Sequence, residues 1–291
     1  MSGSGTLDVR IGLSGWRYPH WRRGAFYPVG LVQRRELEYV SGVFDTLELN
    51  GPFYSLQRPS SFARWRDRTP DGFVFAVKGS RFITHMKKLA GVDDALAAFF
   101  ASGVLDLGDK LGPVLWQLPP MLSFRRERMS AFFAALPRTV GEAAALAESG
   151  ADRIRDRFGE EPRVVAADPS VPVRHAVEVR HDSFATGSFY ELCRQFGVML
   201  VVADTAGRYT WVDEVTADVV YVRLHGDQEM YRSGYSDQGI DWWADRVRGW
   251  ASTPGVRRVY VYFDNDGDAH APHDALRLAR RLGVGGEQRD S

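Results

Sequence analysis

Two groups of side chains in this sequence have types that suit them to chemistry on a small anion. The first group contains three carboxyl groups and an imidazole, namely Glu48, Glu178, Asp204 and His225. The second group contains four cations, namely Lys78, Arg81, Arg180 and Arg223. A buried glutamate and a histidine can act as general acid and base, while a planar guanidinium fits a carboxylate or a phosphate. If the fold brings these two groups together, they would support proton transfer on an anionic substrate.

The chain must bring these residues together, and its apolar runs indicate how. Eight short runs predict strands over residues 7–13, 44–50, 73–78, 112–118, 175–180, 198–204, 218–226 and 258–265. Helical patterns fill most of the intervals, an alternation typical of a parallel sheet. In 291 residues this predicts a single closed TIM-like (β/α)8 barrel of the α/β class, with irregular helices. The rival, an open doubly wound sheet, would carry a GxGxxG or Walker loop, and neither is present.

The predicted barrel forms one domain over residues 1–291. A long insertion, residues 138–174, separates the fourth and fifth strands, and residues 1–6 and 285–291 are expected to be flexible tails. Loops after the carboxyl ends of barrel strands build the active site. The cations and carboxyl groups stand at these ends, and Arg223 and His225, two residues apart, share one face of their strand. The other predicted substrate-binding residues are Asn50, Gln117, Trp16, Tyr54, His85 and Asn265.

Seven stretches resemble one family over nearly the whole chain. They are SGWRYPHW, FDTLELNGPFY, KGSRFITH, GPVLWQLPP, EVRHDSF, YVRLHG and FDNDGDAHAP. Their order and spacing are similar to those of the domain of unknown function 72, or YecE-like, family. The resemblance implies a TIM-barrel-like fold, and it brings no settled activity. Asp264 stands where asparagine is common in the family, and Ala269 stands where glycine is common.

Two other interpretations compete with an anion site. The carboxyl groups could neutralise the arginines inside the barrel, because buried charges must be paired. They could instead bind zinc or manganese together with His225. However, no two histidines lie at a short metal-binding spacing, HExxH is absent, and the four cations would repel a metal ion. We therefore predict no metal and no cofactor.

The composition limits the partners. Lys+Arg and Asp+Glu both count 37, so the chain has no net charge that would favour nucleic acid or an anionic membrane. The first residues show no secretory signal, no run is long enough to span a membrane, and one cysteine excludes an internal disulfide, so we expect a cytoplasmic protein. The favoured interpretation is a metal-independent enzyme that uses acid–base catalysis on a small anionic substrate. The alternatives are a metal-dependent phosphodiesterase acting on nucleic acid, a less favoured partner, and a non-catalytic anion-binding protein.

Overall fold

Nine parallel strands form a single sheet in the computed structural model, which describes residues 8–162 and 168–284. In chain order the strands are β1 (Asp8–Ser14), β2 (Thr46–Leu49), β3 (Val74–Lys78), β4 (Leu111–Gln117), β5 (His175–Glu178), β6 (Met199–Leu200), β7 (Val202–Asp204), β8 (Val219–Leu224) and β9 (Arg258–Phe263). Across the sheet the order is β6-β5-β4-β3-β2-β1-β9-β8-β7. The sheet is thereby nearly closed into a barrel, which confirms the predicted TIM-like α/β fold.

The predicted sixth strand is divided into β6 and β7 by one residue, Val201. β6 pairs with β5 on one side, and β7 pairs with β8 on the other. The amide of Val201 donates to the carbonyl of Val177 at 3.0 Å, so the chain continues along β5 through the break. The nine strands therefore correspond to the eight that the sequence predicts.

Ten α-helices surround the sheet in the described residues. They are α1 (Glu36–Val43), α2 (Gly51–Tyr54), α3 (Pro59–Asp67), α4 (Asp93–Ala101), α5 (Arg126–Ala135), α6 (Val140–Ser149), α7 (Ala151–Phe158), α8 (Gly187–Phe196), α9 (Asp237–Ala251) and α10 (His270–Leu282). The predicted insertion contains α6 and α7, while residues 163–167 and both predicted tails lie outside the described residues. In the part of the chain that the structure describes, no helix is both long enough and apolar enough to cross a membrane.

Apolar side chains fill the barrel beneath the carboxyl ends of its strands. They come from Val74, Ala76, Leu115, Ala176, Met199, Val201, Ala203, Val219, Tyr221, Tyr260 and Tyr262. Successive strand residues alternate between the two faces, so the next inward residue after Tyr221 is Arg223 and the next after Tyr262 is Asp264. We call the end of the barrel formed by the carboxyl ends of the strands the mouth. At the mouth, the interior changes from apolar to charged between one inward-facing residue and the next.

Candidate active site at the barrel mouth

Arg223 lies fully buried at the centre of the mouth, and its donors are all engaged. Its Nε and Nη2 donate to the two oxygens of Glu48 at 3.0 and 2.7 Å. Nη1 donates to Glu178 at 2.6 Å, and Nη2 also donates to Asp264 at 2.9 Å. Its remaining contacts are with the hydroxyl of Ser14 at 3.1 Å and with Nε2 of His225 at 3.2 Å. An arginine has five N–H groups, so a bound anion would have to displace an internal partner. The contacts of Arg223 therefore agree with the interpretation in which the carboxyl groups neutralise the arginines inside the barrel.

The carboxylate of Glu48 is saturated from several strands. Besides Arg223, it accepts the hydroxyl of Ser14 at 2.5 Å and that of Tyr221 at 2.7 Å. The amide of Asn50 donates to the same Ser14 hydroxyl at 2.8 Å, which ties the loop after β2 to β1. Because both of its oxygens are occupied, Glu48 orients Arg223, which agrees with the interpretation that the carboxyl groups pair with the arginines inside the barrel.

Glu178 is held as an anion. Gln117 donates to its two oxygens at 2.9 and 3.0 Å, and Arg180 donates at 3.0 Å. Burial alone would raise the pKa of Glu178, but Arg223 and Arg180 hold that pKa well below its ordinary value. A carboxylate with these bonds is a poor proton acceptor at neutral pH, so its contacts fit the orientation of cations better than the proton transfer predicted for it.

His225 and Asp264 form a second pair beside Arg223. Nδ1 of His225 lies 3.0 Å from Oδ2 of Asp264, while Nε2 faces the Arg223 donor. The tautomer that suits both neighbours carries its proton on Nδ1. His225 is fully buried, whereas the Asp264 side chain is 12% exposed and reaches the mouth. Burial would raise the pKa of Asp264, but Arg223 and His225 hold it far below its ordinary value.

Lys78 is the exception among the charges of the mouth. Its side chain is only 7% exposed, yet it makes no hydrogen bond or ion pair with any described residue. Its Nζ lies 4.4 Å from the ring centre of Phe53. Burial, followed by the charge of Arg223, lowers the pKa of Lys78 to about 8. The mouth therefore contains one cation that is not used to hold the fold together.

The rim of the mouth is cationic. Arg180 uses Nε on Glu178 and Nη2 on the hydroxyl of Tyr231, and its Nη1 has no partner among the described residues. Arg81 is exposed and unpaired within the same residues. Burial and the charges of Arg180, Lys78 and Arg81 lower the pKa of His85 to about 4, so this imidazole is neutral at pH 7 and leaves the positive charge of the rim uncompensated.

Asp204 and Asn265 point away from this cluster, which corrects two sequence assignments. Asp204 accepts bonds from the Tyr235 hydroxyl at 2.9 Å and the Ala206 amide at 3.1 Å, so it orients no cation. Its neighbour Ala203 is the residue that faces the interior. Asn265 lies fully buried on the outer face of its strand and donates to the carboxylate of Asp274 at 2.9 Å, within a structural link to α10.

Of the two aromatic residues that the sequence assigns to the substrate, Trp16 lies apart from the charged cluster. Trp16 is buried against Trp65, with ring centres 5.9 Å apart, on the outer side of the barrel. Tyr54 is 68% exposed beside Phe53. A role for Tyr54 at the rim stays a prediction, whereas the contacts of Trp16 are those of a packing residue.

The assignment from the sequence missed Asp264 and Asp266. Asp264 lies on the same face as Tyr260 and Tyr262, at a period of two, but the strand is apolar on both faces and its sequence does not mark this face as the inner one. Asp266 lies in the loop after β9, where burial and the charge of Asp264 raise its pKa to about 6. Two carboxyl groups whose pKa values are pushed apart are a common acid–base arrangement.

Metal binding has little support in the donor geometry. Among residues 8–162 and 168–284, no three His, Cys, Asp or Glu side chains are grouped so that they could hold a metal ion. Of the three carboxylates that the sequence offers for such a site, Glu48 and Glu178 face Arg223 instead, and Asp204 points away from both. The absence of a cofactor stays a prediction.

Acidification should remove stability through Asp264 and Glu178. Both have folded-state pKa values below those of the unfolded chain, near 4. The folded state therefore binds fewer protons, and the stabilisation is complete above about pH 5 and is lost as the pH falls further. In urea titrations from about pH 6 to 3, we expect Asp264→Asn to lose less unfolding free energy than the wild type. Equal losses would contradict this prediction.

Comparison with known proteins agrees with this architecture. A family model described as "Protein of unknown function DUF72" matches residues 10–291. A crystal structure of a DUF72 family protein from Thermotoga maritima superposes with a TM-score of 0.72 at 24% identity, covering 95% of this chain and 99% of that one. One from Enterococcus faecalis has a TM-score of 0.70 at 17% identity, with 96% and 97% covered. At these identities the likeness shows the fold.

Two curated relatives match over a shorter range. The UPF0759 protein YecE of Escherichia coli is 32% identical over 111 residues, which is 38% of each chain. The UPF0759 protein YunF of Bacillus subtilis is 27% identical over 127 residues, which is 42% of this chain and 44% of that one. The matches thus span about two fifths of the length of these relatives.

Proposed function

This chain belongs to the DUF72 family, and we propose that its barrel mouth is the active site of an enzyme that works on a small anionic substrate by metal-independent acid–base chemistry. The location is that of active sites in barrels of this type. One observation carries the proposal: the mouth holds cationic groups that the fold leaves unused. These are the ammonium of Lys78 and Nη1 of Arg180.

The charge balance of the mouth supports an anion as the ligand. The buried cluster contains three carboxylates, Glu48, Glu178 and Asp264, and three cations, Lys78, Arg180 and Arg223. These charges cancel, and the exposed Arg81 at the rim adds a positive charge without a partner among the described residues. An anion that binds Arg180 and Arg81 would neutralise this excess, and a free guanidinium edge suits carboxylate or phosphate oxygens.

Lys78 is the group at the mouth that is best suited to proton transfer, whereas Asp264 is held as an anion. A lysine whose pKa is about 8 exchanges protons near neutral pH, where general acid–base catalysis is most effective. Asp264 presents a partly exposed carboxylate, and His225 and Arg223 fix its orientation from behind. In this proposal His225 positions Asp264, while Glu178 and Glu48 hold the arginines.

Inorganic phosphate should stabilise the folded protein through Arg180. A ligand that binds only the folded state raises the melting temperature, and at about ten times its Kd the gain is roughly 2–3 °C for a chain of this size. We expect Arg180→Met to lose most of this gain in thermal melts with increasing phosphate at constant ionic strength.

Arg208→Met is the matched control, because Arg208 is exposed and contacts the same Tyr209 ring as Arg180. The control should keep the wild-type response to phosphate. Equal phosphate stabilisation of the wild type and Arg180→Met would contradict the proposed anion site.

A further inference from the structure

Lysine is rare in this chain, and one of its lysines is placed unlike the rest. Only four of the 37 Lys and Arg residues are lysines: Lys78, Lys87, Lys88 and Lys110. Lys87 and Lys88 are exposed. Lys110 donates to the carbonyls of Arg66 and Thr69 at 2.7 and 2.6 Å. Lys78 alone among them is buried without a hydrogen-bond partner in the described residues.

The surroundings of Lys78 explain why it lacks a partner. The charged groups that act on it come from four other parts of the barrel wall: Arg223, Asp264, Glu48 and Glu178. The two glutamates are saturated by bonds to arginine, hydroxyl and amide groups. The ring of Phe53 closes another side. Nζ is not one of the enclosed, unpartnered polar atoms of the described residues, and Lys78 is the last residue of β3, at the mouth of the barrel.

We propose that Lys78 is a nucleophile that forms an imine with a small carbonyl compound bearing a carboxylate or phosphate group. This inference rests on the proposed function, because the anionic group would bind Arg180 and Arg81 while the carbonyl carbon meets Nζ. A lysine amine that is desolvated and placed near another cation is the usual form of such a nucleophile. A salt-bridged or hydrogen-bonded lysine would not be free to react.

The step balances without any further reactant. The neutral amine of Lys78 attacks the carbonyl carbon, a C–N bond forms, and the C=O π electrons move to oxygen. Proton transfer from nitrogen to oxygen gives a carbinolamine, whose protonated hydroxyl leaves as water with the C–O bond electrons. The nitrogen lone pair completes the C=N bond. Overall, an ammonium and a carbonyl become a protonated imine and one water. Arg223 holds Asp264 as an anion, so solvent at the open mouth takes up the proton that the ammonium releases and returns one to the leaving hydroxyl.

Reductive trapping tests this step on the intact protein. The protein is treated at about pH 7 with glyoxylate, or separately with the neutral acetaldehyde, together with cyanoborohydride, and modified lysines are located by peptide mass mapping. At that pH a lysine with a pKa of about 8 has far more free amine than an exposed one near 10.4. We expect Lys78 to be modified roughly tenfold or more faster than Lys87 and Lys88 with both reagents. Lys78→Arg should abolish the adduct, and Lys87→Arg should not.

The two reagents separate this inference from the proposed anion site. Faster modification of Lys78 by glyoxylate than by acetaldehyde, with that preference lost in Arg180→Met, supports both. Preferential modification of Lys78 by acetaldehyde without any preference for glyoxylate keeps the nucleophile and overturns the anion site. Modification of Lys78 no faster than Lys87 and Lys88 overturns the nucleophile, while phosphate stabilisation through Arg180 still supports the anion site.

Discussion

Arg223→Met should lower the free energy of unfolding by about 3–5 kcal/mol, the usual cost of leaving a buried charge without its partner. The cost falls at the high end because one guanidinium faces three carboxylates, those of Glu48, Glu178 and Asp264. Methionine fills much of the volume but supplies no donor. Urea denaturation at pH 7 measures the change.

Arg248→Met is the matched control for Arg223→Met. Arg248 is half exposed and pairs with the exposed Asp245, so its loss should cost less than about 1 kcal/mol. Adding Glu48→Gln to Arg223→Met should recover part of the loss, since it removes one of the uncompensated charges. A loss below about 1 kcal/mol for Arg223→Met would show that the buried cluster is not held together as its distances indicate.

Lys78→Met should do the opposite and stabilise the protein. A lysine pKa lowered from 10.5 to about 8 means that folding disfavours the ammonium over the amine by roughly 3 kcal/mol. At pH 7 the unfolded and folded chains both carry the ammonium, so the wild type bears this cost and an apolar side chain of similar length does not. We expect a gain of about 2–3 kcal/mol, measured by urea denaturation.

The pH dependence provides a second measurement for Lys78. Between about pH 8 and 10.5 the unfolded chain binds more protons at this residue than the folded chain, so wild-type stability should rise with pH across that window. Lys78→Met should lack this rise, and Lys87→Met should keep it and change stability by less than about 0.5 kcal/mol. A destabilised Lys78→Met with an unchanged pH profile would show that the ammonium is stabilised by the fold. A side chain whose removal stabilises the folded protein is commonly one that is retained for function.

The barrel and its polar mouth could be predicted from the sequence because both depend on local patterns. Strand–helix alternation fixes the architecture, and a polar residue at the end of an apolar strand has few other places to lie. Ion pairing inside the barrel could be foreseen, but which carboxylate binds Arg223 could not, because its bonds to Glu48 join strands that are not neighbours in the sheet and depend on side-chain reach across the interior.

The orientations of Asp204 and Asn265 were unpredictable for a different reason. Both end strands that are apolar on both faces, as strands of parallel sheets usually are, so the sequence shows no alternation from which the inner face could be read. In β7 Ala203 faces the interior, so the next residue, Asp204, faces outward. In β9 Tyr262 faces the interior, so Asp264 faces inward and Asn265 faces outward. The chemistry of the mouth therefore depends on a strand phase that only the packed barrel defines.

The strand divided at Val201 leaves a seam in the barrel wall, meaning a place where few backbone pairs join neighbouring strands. Two residue pairs join β5 to β6, which is fewer than between any other two neighbouring strands of the described sheet, whereas six join β8 to β9. The ion pair between Arg223 and Glu178 joins β8 to β5, the two strands that flank this seam, at 2.6 Å. Local opening of a protein begins where the hydrogen-bond ladder is shortest. The charged cluster thus joins the two sides of this seam, so the groups of the proposed site also help to keep the barrel closed.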